Sequence, residues 1–322
     1  MSAPTVTPAD AAAAFDPLAA EAPATTDYAH YPLPDGLVRG NVGTARTRDG
    51  IVLRTRSWGA TGEPRARILL VHGLSEHSGR YEHVGGWLAR AGYEVHAYDQ
   101  RGWGASGGVA GHVDRWTTLH EDLGERIAAL RARRPALPLA IYAHSMGGLV
   151  TTGYLLGGDR DRLLPDMTIL SGAGLLSIYP AWLVAAAKVL GRIAPTVRPS
   201  RPDNGHTLSR DPEVPRRFGK DPLHRDPTTG FGMRGLQAQG VARRGLEALA
   251  AAGRPFPVPA LVLHGEDDGL VPFAVTDWFR PLAGVEVRPF PGLRHELHNE
   301  PEGETIVAGV AAWIASQLEG TR

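Results

Sequence analysis

Hydrophobic and polar positions along the chain fall into three regimes. Residues 1–31 are rich in Ala, Pro and Thr, include a four-alanine run and hold no apolar period, which predicts a mobile extension. Two extended segments follow, at 37–47 and 51–57, and Asp49-Gly50 between them is a hairpin signal, so an antiparallel sheet edge is expected. From Arg67 onward short apolar runs alternate with helical patterns. The runs lie at 68–71, 93–98, 139–143, 167–171, 260–263 and 285–290; the helical stretches at 83–91, 118–133, 146–156, 273–279 and 304–317. Thr118 with Glu121 offers a capping box for the second helix. This alternation predicts an α/β fold with a mostly parallel central sheet and helices on both faces.

One interval breaks the rhythm. Between Ser171 and Ala260 lie helical pieces and many prolines: an apolar stretch at 178–193, a Pro/Arg-rich section, and a helix-compatible segment at 240–252. The expected organisation is therefore an extension at 1–33, a core formed by 34–172 and 258–322, and an inserted helical cap at 173–257. Only Lys188 and Arg192 interrupt the apolar stretch from Tyr179 to Ile193, too few to define a polar face. It is expected to pack as cap core over the sheet, with lipid contact or an acyl tunnel as the alternative.

Composition narrows the choice of partners. Of 322 residues 43% are hydrophobic, ample for a large core. Lys+Arg and Asp+Glu both number 34, so no net field steers the protein toward nucleic acid. The absence of cysteine excludes disulfides, thiolate nucleophiles and zinc ribbons. The first basic residue is Arg39, so a basic secretory n-region is missing, and no apolar run reaches the length of a membrane span. A cytoplasmic protein is the default expectation, with peripheral membrane contact left open.

The candidate chemistry starts at Ala143-His144-Ser145-Met146-Gly147-Gly148, where a buried run ends and a helical pattern begins. A serine on such a sharp turn has its hydroxyl lifted clear of the sheet, and small residues two before and two after it let the backbone cross closely. Alanine stands at 143 where glycine is usual. A hydroxyl needs a base, and among thirteen histidines His295 fits, late in the chain after the last apolar run; His298 is the near rival, expected to be structural or at the rim. The acid that orients the imidazole is expected at the end of the preceding run. There Asp268 begins the turn into Gly-Leu-Val-Pro272, leaving Glu266 and Asp267 as exposed turn residues. Negative charge on a carbonyl oxygen under attack calls for preorganised donors, expected at the backbone amides of Met146 and of Leu74 in Val71-His72-Gly73-Leu74. His72 itself reads as a core histidine bonded to backbone.

Two further patterns carry no chemistry. Gly102-Trp-Gly104-Ala-Ser-Gly107 matches a dinucleotide-binding glycine pattern, but no helix opens directly after it. His295-Glu-Leu-His298 has its histidines three apart, where the zinc-protease helix needs them four apart.

Together, His72-Gly-Leu-Ser-Glu-His-Ser-Gly-Arg-Tyr81, Asp99-Gln-Arg-Gly-Trp-Gly-Ala-Ser106, His144-Ser-Met-Gly-Gly148, His264-Gly-Glu-Asp-Asp268 and His295-Glu resemble the monoacylglycerol lipase and lysophospholipase branch of the α/β-hydrolases, from about Gly40 to the carboxyl terminus. Leu208-Ser-Arg-Asp-Pro212 and Asp221-Pro-Leu223 resemble recurring phrases of that branch's cap. The resemblance implies a triad of Ser145, Asp268 and His295, oxyanion donors at Leu74 and Met146, no cofactor, and single-chain acyl esters of glycerol as substrates. A broad carboxylesterase, an acyltransferase on the same residues, or a silent binding module are the alternatives.

Overall fold

The computed structural model describes residues 15–16, 31, 33–157, 162–176, 181–199 and 205–320. Among these residues nine strands form one sheet: β1 (Phe15–Asp16), β2 (Asn41–Arg46), β3 (Val52–Trp58), β4 (Ala66–Val71), β5 (Tyr93–Tyr98), β6 (Leu139–His144), β7 (Met167–Ser171), β8 (Ala260–Gly265) and β9 (Val285–Phe290). Their order is β1-β2-β3-β5-β4-β6-β7-β8-β9, with β1, β2 and β3 antiparallel to their neighbours and β5 through β9 parallel. The β2–β3 hairpin turns at Gly50, whose φ of +90° suits a residue without Cβ. Most of the amino-terminal extension lies outside the described residues. Its Phe15–Asp16 segment nevertheless pairs with β2, and Tyr31 bonds to Arg80 and Asp221.

The central strands are buried on both faces, and their side chains divide with a period of two. Leu69 and Val71 of β4 join Ile141 and Ala143 of β6 in one apolar layer, while Ile68, Leu70, Ala140 and Tyr142 face the other. The first layer is covered by α2 (Thr117–Arg133) and α3 (Met146–Leu156), the second by α1 (Glu82–Arg90) and α7 (Gly303–Glu319). Each fully buried Leu, Ile or Val contributes roughly 1.5–3 kcal/mol, so the two layers dominate stability.

Helix α2 begins one residue before Thr118, and the capping box does not form: Trp116 is the N-cap with no side-chain bond, Thr118 lies inside the first turn, and Glu121 pairs with Arg115 at the surface. Residues Phe273–Trp278 form a 3-10 helix rather than an α-helix, closed by i→i+3 bonds such as Val275 N–H to Pro272 O.

The insertion carries α4 (Ala181–Ile193), α5 (Glu213–Lys220) and α6 (Thr229–Ala251). The helix expected at 240–252 is the second half of the 23-residue α6, and α5 falls where no helix was expected. Residues 178–180 of the apolar stretch lie outside the described residues; for 181–193 the expectation is overturned. It is α6, through Phe231, Ala242 and Leu246, that lies on the sheet-side core. Helix α4 stacks on the far side of α6 by way of Gly191, where a Cβ would come within 2.6 Å of Met233 Cβ. Trp182, Val189 and Ile193 are left in solvent, 71%, 59% and 76% exposed. Among the described residues no helix is long and apolar enough to cross a membrane.

Candidate active site

The sheet reverses its chain order on either side of β4, and the loops leaving the carboxyl ends of β4 and β6 face each other at that switch point. Ser145 directly follows β6 and caps α3 with φ of +52°, ψ of −116°. A serine pays strain in that left-handed region, on the order of 1–3 kcal/mol, which the surrounding packing must hold in place. The packing is visible. A Cβ on Gly147 would be driven into the carbonyl oxygens of Val71 and His72, and one on Gly148 would come 2.9 Å from Ala173 Cβ. The Ser145 amide is anchored on Ser171 O at 3.0 Å, and its carbonyl accepts from Gly174 and Leu149. Ala143, beside Val71 and Leu170 in the ladder, is fully buried and its methyl group is accommodated.

The three expected side chains meet. His295 Nε2 lies 2.9 Å from Ser145 Oγ, and His295 Nδ1 lies 2.7 Å from Asp268 Oδ2. A carboxylate is acceptor only, so Nδ1 carries the hydrogen and donates it, leaving Nε2 free to accept the serine O–H. Asp268 Oδ1 accepts from the amides of Leu270 at 2.8 Å and Val271 at 2.9 Å. Burial alone would raise the Asp268 pKa, but the His295 charge and the bonds from His264 and His295 hold it far below the usual carboxylate range. For His295, burial opposes the charged form, yet the charge and hydrogen bond of Asp268 outweigh it and raise its pKa. Glu266 and Asp267 are exposed, as expected of turn residues.

The residues expected as oxyanion donors flank this point. Met146 follows the nucleophile in α3, and the turn carrying Leu74 passes so close that a Cβ on Gly73 would sit 3.2 Å from Ser145 Cβ. Among the described residues only Ser75 and Ser145 have positive φ without being glycine, and they stand on these two facing turns. His72 is a buried core residue: Nδ1 donates to Gly73 O at 2.8 Å and Nε2 accepts from Gln100 N at 2.8 Å.

Residues beyond the three catalytic side chains hold the site together. His264, four positions before Asp268, sends Nε2 to Val271 O at 2.9 Å and lies 3.2 Å from Asp268 Oδ2. Its spacing within the quoted motif was the available signal. His298 is not at the rim: it is buried, stacked on Tyr81 at 4.8 Å between centroids and edge-on to His144 at 5.0 Å. Burial, followed by the nearby His144, pushes its pKa well below the ordinary value; burial and His295 push His144 down to about 4. Both rings are therefore neutral beneath the site. The two cap phrases are also anchored. Glu300 accepts from the Arg210 amide at 3.0 Å and from the Arg294 amide at 2.7 Å, and Asp221 accepts from His77 Nε2 at 2.7 Å. From above, Gln239 of α6 donates to Gly174 O at 2.9 Å.

A loop, not a helix, follows Gly102 and Gly104, and α2 begins only at Thr117. Among the described residues no cluster of His, Asp and Glu could hold a metal ion.

A mostly parallel sheet with a serine on a strained strand-to-helix turn at its switch point is the architecture of an α/β-hydrolase. Residues 62–302 match the family described as Serine aminopeptidase, S33. A monoacylglycerol lipase of Mycolicibacterium smegmatis is 34% identical over 274 residues, spanning 81% of this chain and 92% of the relative. The crystal structure of Paleococcus ferrophilus monoacylglycerol lipase superposes with a TM-score of 0.69 at 29% identity, covering 82% of this chain and 99% of that one. A soluble variant of monoglyceride lipase from Saccharomyces cerevisiae, in complex with a substrate analog, shares the fold with a TM-score of 0.75 at 22% identity, over 89% and 99% of the two chains. The chain belongs to the monoacylglycerol lipase family of α/β-hydrolases, as its motifs led one to expect.

Proposed function

We propose that this protein is a serine hydrolase that cleaves monoacylglycerols, or the related lysophospholipids, to a fatty acid and an alcohol through an acyl-enzyme on Ser145. The observation that carries the reading is the buried chain Asp268 Oδ2, His295 Nδ1, His295 Nε2, Ser145 Oγ, with separations of 2.7 and 2.9 Å. His295 takes the serine proton as Oγ attacks the ester carbonyl, and Asp268 stabilises the imidazolium that forms. The amides of Leu74 and Met146 receive the oxyanion. His295 then protonates the leaving alcohol, and a water activated by the same ring releases the acid. No cofactor enters this scheme.

Residues 173–257 act as a cap that excludes water and selects the acyl chain. The anchoring of its two phrases on Glu300 and His77, and the reach of Gln239 to Gly174, support that role. The apolar side chains that α4 leaves in solvent, beside Lys188 and Arg192, support contact of the cap with a lipid surface.

The test is hydrolysis of p-nitrophenyl esters and 1-monoacylglycerols of graded chain length, with amino-acid p-nitroanilides alongside, by wild type and Ser145→Ala. Ester turnover with a chain-length optimum, abolished by the substitution, is the expected result. Turnover of anilides alone would replace the lipase reading with a peptidase, and no turnover or phosphonate labelling by wild type would leave a silent binding module.

A further inference from the structure

We propose that Arg80 is a positioning residue that locks the turn carrying Leu74 to the loop carrying His295, so that oxyanion donor and base are held at one separation. The inference rests on the serine-hydrolase reading above.

Arg80 sits in the 3-10 turn Ser78–Tyr81 and is buried, an unusual place for a guanidinium. Its Nη1 donates to Glu76 Oε2 at 2.6 Å and to Glu296 Oε1 at 2.7 Å, and its Nη2 donates to Glu296 Oε2 at 2.7 Å. Both carboxylates are themselves buried. Each is tied to one half of the reaction centre. The other oxygen of Glu76 accepts from the Gly73 amide, immediately before Leu74, and from the Tyr81 hydroxyl at 2.8 Å. Glu296 immediately follows His295, and its Oε2 also accepts from Asn299 Nδ2 at 2.7 Å. A continuous buried path thus runs from Gly73 through Glu76, Arg80 and Glu296 to the base.

Ordinary packing would not select this arrangement, since two buried carboxylates on one cation are weak evidence of stability. The pairing with Glu296 is two-pronged, and a guanidinium fork fixes orientation as well as distance, which an ammonium cannot do. Arg80 also faces the insertion. Its guanidinium carbon lies 4.9 Å from the centroid of Phe218 on α5, and its Nε donates to Tyr31 OH at 3.1 Å. The same side chain that sets the spacing of the two turns therefore touches the cap.

The experiment compares wild type, Arg80→Lys and Glu296→Gln on p-nitrophenyl acetate, a substrate too short to use the cap, with kcat expressed per serine titrated by a fluorophosphonate. For Arg80→Lys, kcat per titrated serine is expected to fall about 10- to 100-fold with KM within about twofold, and the phosphonylation rate to fall in parallel. Glu296→Gln keeps the shape and one acceptor, and is expected to lose about 3- to 10-fold in the same two rates. A residue that only supports the fold would lower the thermal midpoint and the titrated fraction while leaving kcat per titrated serine alone. That result, or a rise in KM at constant kcat, overturns the proposal. If Arg80→Lys does not fold, Glu296→Gln decides by the same criterion, because Arg80 remains paired with Glu76 in it. Wild type that fails to react with the fluorophosphonate sinks the serine-hydrolase reading itself; labelled wild type with unaltered variants sinks only the role of Arg80.

Discussion

The turns around Ser145 and the outer helix of the insertion use the same side-chain chemistry to opposite ends. Around Ser145 the catalytic polar groups are taken out of water and paired: Asp268 accepts two amides and two imidazoles, and His295 is bonded through both nitrogens. On α4 the reverse holds, and Trp182, Val189 and Ile193 face solvent. The first arrangement costs desolvation and strain and returns a fixed geometry. The second leaves hydrophobic area unburied, which adds little to the fold and offers a surface for something apolar. Substitutions in the two places should therefore fail in different ways.

The largest effect is expected from Ser145→Ala, which should lower kcat for any ester by at least about 10³-fold, as for other nucleophile removals, with the melting temperature little changed, since alanine keeps the Cβ and with it the strain of a positive φ. Asp268→Asn should cost about 10²- to 10⁴-fold in kcat, since an amide can present N–H to the imidazole and favour the wrong tautomer. A fall of less than tenfold would show that the ring keeps its working tautomer without the charge of Asp268.

Gly147→Ala should act on stability rather than on one kinetic step. The added methyl meets His72 O at 2.7 Å and Val71 O closer still, backbone atoms that cannot step aside, so a loss of about 1–3 kcal/mol by urea denaturation is expected. Acidification tests the buried pair from another side. Catalysis needs neutral His295, and its pKa lies above the ordinary value of 6.5. The acid limb of kcat/KM should therefore fall through a midpoint above 6.5, with activity lost as pH drops. A midpoint below 6.5 would mean that burial outweighs Asp268.

The smallest effect on the fold is expected from Trp182→Ser. Stability should stay within about 0.5 kcal/mol, as for exposed sites generally, while binding to vesicles measured by co-flotation weakens. A destabilisation of 2 kcal/mol or more, on the scale of a core truncation, would erase the distinction between the two regions.

The same distinction governs what the sequence could reveal. The apolar runs marked the inner parallel strands because a strand buried on both faces is apolar nearly throughout, while the edge strand β9, with Glu286 and Arg288, was marked by alternation; β5, β7 and β9 begin and end where the pattern does. The elbow, the base and the acid were legible because each stands at the end of such a run. The apolar stretch of α4 was read as buried because hydrophobicity alone does not say which side of α6 a helix will occupy. The capping box failed at Thr118 because the helix starts at Thr117, which puts Thr118 within the first turn instead of before it. Arg80 and Glu296 stood in quoted motifs, yet nothing local indicated that residues 216 positions apart would share one buried ion pair.

The solitary position of Trp182 gives the protein an optical reporter. Of its seven tryptophans, Trp58, Trp103 and Trp313 are buried, Trp87, Trp116 and Trp278 are half-buried, and Trp182 alone stands mostly in water. Acrylamide should therefore quench one red-shifted fraction of the emission far more readily than the rest, and that fraction should shift to the blue and become shielded when the helix meets an apolar phase. Docking of the cap onto a substrate surface can then be followed in the unmodified protein, without attaching a dye.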